Sequence, residues 1–237
     1  MQSVVRLVYP PQCLTCDAMT DADFALCGHC WRETPFITGL VCDACGLPLV
    51  GEGHPTSLCD DCMTVARPWS QGRSALLYGG NARRLVLGLK HGDRTDLAQP
   101  MATWMLSAGA PLLSPDICVV PVPNHWSRRI ARRYNQSAIL AKAVARGGGF
   151  TFLPRTLIRP SKTPLLDGHS RENRFATLLG AIEPHPTRGK EVAGRKAVLI
   201  DDVMTSGATL AAATVALFQA GAAEVSVLTL ARVAKAP

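Results

Sequence analysis

The stretch Lys196-Ala197-Val198-Leu199-Ile200-Asp201-Asp202-Val203-Met204-Thr205-Ser206-Gly207-Ala208-Thr209 decides the fold of this chain. Lys196 to Ile200 reads as a fully buried strand of the kind parallel sheets use. Two carboxylates at the end of such a strand are costly to bury unpaired, so Asp201 and Asp202 are expected to face the crevice above the sheet. Immediately beyond, Thr205-Ser206-Gly207-Ala208-Thr209 supplies small hydroxyl side chains, a glycine for close backbone approach and a helix N-terminus whose N–H groups favour a phosphate. An anion site beside an acidic pair able to accept from a diol is chemically a ribose-phosphate site. The turn lacks the Gly-Lys-Ser/Thr ending of a Walker loop.

Working outward, Leu210 to Ala220 reads as an alanine-rich helix and Val225 to Ala231 as a last strand, which makes a right-handed strand-helix-strand unit. Upstream, Arg73 to Tyr78 is a short strand, and Asn81 can cap a helix carrying Leu85, Val86 and Leu89. A second helix is expected over Asp96 to Leu106. Ile117 to Val120 is a buried strand, ended by Pro121-Val122-Pro123, with Cys118 as a small core residue inside it. Arg128, Arg129, Arg132 and Arg133 follow, then a helix from Ser137 to Arg146 that ends at Gly147-Gly148-Gly149. Clustered arginines usually form a solvated face, but ligands of open α/β sheets bind beyond the carboxyl ends of strands, where these stand. Thr156 to Ile158 is a further short strand, Arg159 to Asn173 a polar loop, and a helix is expected around Glu172 to Leu179. Gly180 to Gly194 reads as an exposed connection. The class expected for residues 72 to 237 is α/β with a mostly parallel sheet.

Four Cys-x-x-Cys pairs occupy the first quarter: Cys13/Cys16, Cys27/Cys30, Cys42/Cys45 and Cys59/Cys62. Spacers of 10, 11 and 13 residues separate them. Each pair can offer two sulfurs from a tight knuckle, and tetrahedral zinc needs two such knuckles facing each other, so eight thiols make two closed structural sites. Joining sequence neighbours closes the shorter loops at the lower entropy cost, although an interleaved pairing is also open. With no strand-helix-strand pattern around them the pairs do not suit a thioredoxin-like redox motif, and in a reducing compartment they read as metal ligands before disulfides. His29 and His54 are surplus to four thiols per ion and are expected to be solvated. So short a segment cannot hold a core without its metal, so folding and zinc binding should be one event. The junction between residues 1 to 66 and 72 to 237 is placed in the mixed stretch between them.

The whole chain has 237 residues, 47% of them apolar, and a formal net charge of +7. That excludes large-scale disorder and favours anionic partners. The first residues hold no apolar core long enough for a signal peptide, and no run of about 18 apolar residues occurs, so a cytoplasmic protein without membrane insertion is expected.

On the strand, acidic pair and loop at 196–209 the chain resembles the type I phosphoribosyltransferases. More narrowly it is similar to the ComF family of bacterial competence and DNA-uptake proteins, which join a double zinc ribbon to a phosphoribosyltransferase-type domain. The similarity extends over the cysteine pairs, Gly88-Leu89-Lys90-His91-Gly92-Asp93, Pro121-Val122-Pro123-Asn124-His125-Trp126, Arg132-Arg133-Tyr134-Asn135-Gln136, Thr163-Pro164 and the terminal stretch. It implies a ligand, phosphoribosyl pyrophosphate (PRPP) or another ribose 5-phosphate compound, taken with Mg²⁺. It further implies that Asp201 and Asp202 hold the ribose hydroxyls and that Met204, Thr205, Ser206, Gly207, Ala208 and Thr209 form the wrap around the 5′-phosphate. Arg128, Arg129 or Arg132 would meet the pyrophosphate. Single-stranded DNA and a competence helicase are the implied macromolecular partners. Arg133, Leu166 and Asn173 depart from the family pattern near the lid, and Thr205 replaces an acid common in purine-salvage relatives, which disfavours purine salvage.

Overall fold

The computed structural model describes residues 10–54, 56–91, 94–124, 134–160 and 180–234. Its centre is a five-stranded, all-parallel sheet in the order β1-β7-β6-β2-β3. These are β1 (Gly72–Leu77), β2 (Cys118–Pro121), β3 (Thr151–Phe152), β6 (Lys196–Met204) and β7 (Glu224–Arg232). β4 (Leu157–Ile158) and β5 (Glu183–Pro184) pair antiparallel in a separate ribbon.

Strand alternation divides the core into two layers. Ala197, Leu199, Val120, Val225 and Val227 face one side, against α6 (Ala208–Gln219). Val198, Ile200, Val119, Leu228 and Leu230 face the other, against α3 (Gly80–His91), α4 (Ala98–Gly109) and α5 (Gln136–Gly148). With both faces covered, the central strands have no solvated side, which is why they read as continuous apolar runs. Every residue of β7 after Glu224 is buried.

The cysteine segment carries two short helices, α1 (Gly28–Arg32) and α2 (Asp60–Thr64). Its halves reach different core layers. Leu14, Leu26 and Phe36 of the first half join the α3–α5 side, while Cys42, Cys45, Cys59 and Cys62 of the second are buried with α6. Residues 35–37 also run beside β1: Ile37 donates to the Ala75 carbonyl at 2.9 Å and Leu77 to that of Pro35 at 2.8 Å. That covers an otherwise open sheet edge.

Several local expectations change. Asn81 lies inside α3, and its amide donates to the Cys30 carbonyl at 3.2 Å instead of capping the helix. α5 runs through Gly147 and Gly148 and stops at Gly149, whose φ of 71° makes the left-handed cap. A short 3-10 turn, Thr95–Leu97, precedes α4. The region 180–194 is not simply exposed: it holds β5 and buries Ala181, Ile182 and Val192. The polar loop and helix expected over 159–179 fall almost wholly outside the described residues. Among those residues, no helix is long and apolar enough to cross a membrane.

Candidate functional site

β6 does not end at Ile200. It pairs with β7 as far as Met204, opposite Arg232, so both acids lie on the strand's last turns above the apolar layers. Each acid is half-buried and has a polar partner. Ser137 Oγ, at the start of α5, donates to Asp201 Oδ1 at 2.7 Å, and the Asp202 backbone N–H donates to the same oxygen at 2.9 Å. Lys90 Nζ near the end of α3 lies 3.0 Å from Asp202 Oδ2. Burial, and then the charge of Asp202, push the Asp201 carboxyl up to about 7, against the relief offered by Ser137 and Lys90. An acid raised so far is poised to change protonation near neutrality.

The turn after β6 is built for close approach. Thr205 is exposed, Ser206 and Thr209 are half-buried, and Gly207 sits at φ 83° as the N-cap of α6. Ser206 Oγ accepts weakly from the Ala208 N–H at 3.4 Å. A Cβ at Gly207 would come within 3.1 Å of Trp69 and 3.2 Å of Arg67 Nη1, so both the backbone angle and the packing require glycine there. Met204 is buried at its side chain, so it can present only its backbone to a ligand.

A second polar group of residues ties the start of α5 to the end of β2. Asn135 caps α5 by accepting from the Ser137 N–H at 3.1 Å, and its amide donates to the Val122 carbonyl at 3.0 Å. Tyr134 donates to the Leu89 carbonyl at 2.8 Å, tying α3 to the residues that lead into α5. Beside it opens a cavity of about 770 Å³ lined in part by Asn124, Lys142, Arg155, Arg159 and His185. Arg128, Arg129 and Arg132 lie outside the described residues.

The eight paired cysteines gather as sequence neighbours, Cys13, Cys16, Cys27 and Cys30 in one group and Cys42, Cys45, Cys59 and Cys62 in the other. The ligand atoms of each lie within 4.8 Å of one another. No disulfide joins them. Sγ separations of 3.7 Å for Cys16–Cys27 and for Cys45–Cys59 match the edge of a tetrahedron around zinc, about 3.8 Å for Zn–S bonds of about 2.3 Å. Hydrogen bonds from Cys42 and Cys62, and then the charge of Arg232, hold the Cys45 thiol well below its usual range. Burial, with the negative charge of Cys45, pushes Cys59 up to about 11. Four thiols at this spacing in each group are a donor set that fits structural zinc. His29 and His54 are exposed and belong to neither group.

Lys90, Ser137, Arg67 and Arg232 carry no motif of their own: Lys90 falls in the Gly88–Asp93 segment that supports the family resemblance, and Ser137 only at the expected start of a helix.

The first 60 or so residues match the double zinc ribbon domain model over residues 4–63, and the phosphoribosyl transferase domain model matches residues 124–236. A DNA utilization protein of Salmonella typhi, YhgH, is 32% identical over 237 residues, covering 95% of this chain and 99% of the relative. The chain belongs to the ComF family. The competence protein ComFC of Bacillus subtilis is 27% identical over 245 residues, covering 93% of this chain and 94% of that one. Among solved structures, the allosteric regulatory enzyme of purine biosynthesis is similar at 19% identity and a TM-score of 0.38, over 61% of this chain and 30% of that one. In this ComF chain the two domain types come with a mostly parallel sheet and with two groups of four cysteines.

Proposed function

We infer that this ComF protein binds PRPP with magnesium at the end of β6 and serves DNA uptake. One observation carries the reading: Asp201 and Asp202 stand beside a hydroxyl-bearing turn at a helix N-terminus, each acid engaged by a polar partner and neither sunk in apolar packing. The carboxylates accept from the 2′ and 3′ hydroxyls, and the Thr205–Thr209 turn wraps the 5′-phosphate with backbone N–H groups. Arg128, Arg129 or Arg132 would meet the pyrophosphate, whose charge a bound Mg²⁺ would help neutralise. In a displacement at C1 the protein's share is positioning and charge stabilisation, with an acceptor the chain does not name. The names of the relatives support the uptake role.

Calorimetric titration with PRPP and Mg²⁺ tests this directly, on the full chain and on Asp201→Asn combined with Asp202→Asn. Binding by the wild type and its loss in the double variant are expected, and a wild type that takes up no PRPP removes the reading. Pyrophosphate release across candidate acceptors then separates a transferase from a PRPP sensor.

The basic lining of the cavity by Lys142, Arg155 and His185 favours a second reading, a single-stranded DNA or helicase binding module whose PRPP site is vestigial or sensory. Its binding would weaken steeply with salt. A flat salt dependence with an oligonucleotide argues against it.

A further inference from the structure

Two guanidinium groups stand behind the Thr205–Thr209 turn, and both belong to the surroundings of the second cysteine group. Arg67, in the segment between α2 and β1, donates from Nε to Cys62 Sγ at 3.4 Å and from Nη1 to the Ser206 carbonyl at 2.8 Å. Its guanidinium lies over Trp69, 5.6 Å from the ring centroid, and the Trp69 indole N–H in turn donates to the Ala44 carbonyl, between two of the cysteines, at 2.6 Å. Arg232, buried at the end of β7, donates from Nη1 to the Thr205 carbonyl at 2.7 Å and to that of Met204 at 3.3 Å. Three successive carbonyls, that of Met204 at the end of β6 and those of Thr205 and Ser206 in the turn, are therefore held from behind.

In a trans peptide the carbonyl and the following N–H point in opposite directions. Fixing the Thr205 and Ser206 carbonyls on guanidiniums turns the N–H groups of Ser206 and Gly207 away from them, to the open side where an anion would sit. No cis peptide interrupts this relation among the described residues. Cys62, meanwhile, lies in α2, a single turn whose fold depends on the knuckle it completes. Four thiolates around one Zn²⁺ carry a net charge of −2, which holds a cation such as Arg67 in place. Without the ion nothing closes the knuckle that places Cys62, and Arg67 loses one of the two anchors between which it spans.

We propose that Arg67 is a positioning residue that makes the anion grip of the Thr205–Thr209 turn depend on metal in the Cys42, Cys45, Cys59 and Cys62 group. The proposal rests on the reading of this turn as a phosphate site. Coupling of this kind is reciprocal, so an anion in the turn must also stabilise the metal in that group. Cys13, Cys16, Cys27 and Cys30 make no such link among the described residues and serve as the internal control.

The test uses the full-length, zinc-loaded protein and ribose 5-phosphate as the probe. By calorimetry, Arg67→Met is expected to weaken binding about tenfold, in line with loss of a charge-assisted hydrogen bond. Arg67→Lys is expected to fail to restore it, because an ammonium cannot span Cys62 and Ser206 as a planar fork does. Arg188→Met, which removes a surface charge paired with Glu191, is expected to bind like the wild type. Separately, zinc release to a chromogenic chelator is followed in the wild type with and without saturating ribose 5-phosphate. The ligand should slow release from the second group and leave the first unchanged, with the groups told apart by a Cys16→Ser variant that lacks the first. Equal affinities for Arg67→Met and Arg188→Met overturn the proposal. So do zinc release rates insensitive to ligand in the wild type, a result that stands even if Arg67→Met does not fold. A wild type that binds no ribose 5-phosphate defeats the phosphate reading itself.

Discussion

Lys90 and Asp202 form a half-buried ion pair, Nζ to Oδ2 3.0 Å, that ties α3 to the end of β6. The pair leaves Asp201 as the acid whose charge is least compensated, because its own partner, Ser137, is a neutral hydroxyl.

Lys90→Met removes that cation and leaves Asp202 without its ion-pair partner, next in sequence to a second carboxylate. A partly buried pair of this kind is worth about 1 kcal/mol, so a lower urea midpoint at neutral pH is expected, with an unchanged slope. Coincident unfolding curves for variant and wild type would show that the pair contributes nothing.

Asp201 gives stability a pH signature. Its folded-state pKa of about 7 exceeds the ordinary 3.8, so between those values the folded chain binds more protons than the unfolded one. The contribution is therefore fully present below about pH 4 and is lost as pH rises through about 7. Asp201→Asn removes this slope: relative to wild type it gains stability with rising pH, by ~2–4 kcal/mol across the window. Urea midpoints measured from acid to mildly alkaline pH check this, and a difference that does not vary with pH contradicts it.

Gly207→Ala forces a side chain into the left-handed region at φ 83° and places Cβ against Trp69 and Arg67. The strain costs about 1–3 kcal/mol. The melting temperature should fall, and ribose 5-phosphate affinity should fall with it, since relief of the clash moves the turn. An alanine variant with wild-type melting and affinity would mean that the turn is looser than its geometry indicates.

The two cysteine groups should differ in their worth to the fold. Cys45 is fully buried in the same core as α6, whereas Cys16 is exposed. Cys45→Ser is expected to lose one zinc and at least about 3 kcal/mol of stability, because a metal site inside the core is folding free energy. Cys16→Ser should lose one zinc with a much smaller fall in melting temperature. Zinc content by mass spectrometry with thermal unfolding tests this, and equal losses would refute the difference in burial.

The legible parts were those written in local spacing. The knuckle-forming pairs announce tetrahedral sulfur sites at any reading, and the unbroken apolar run from Ala197 to Ile200 followed by two acids announces a buried parallel strand with a crevice at its end. Less legible were elements too short to show a period, such as β3 with two residues and β5 with a proline in it. The helix through Gly147 and Gly148 was also hidden, because glycine pairs read as stops and tertiary packing against α4 overrode that preference.

The sequence alone determined that eight thiols form two groups fitted to hold metal and that the chain carries an acidic pair and a hydroxyl turn on one strand-to-helix junction, because ligand spacing and hydrophobic period are properties of neighbours along the backbone. Only the tertiary structure decided what stands behind and beside that junction. Arg67 meets Ser206 across 139 residues of chain and Ser137 meets Asp201 across 64, contacts made by the parallel crossovers of the sheet. No local pattern records such a meeting, since each arginine or serine is, by its own neighbours, only another polar residue.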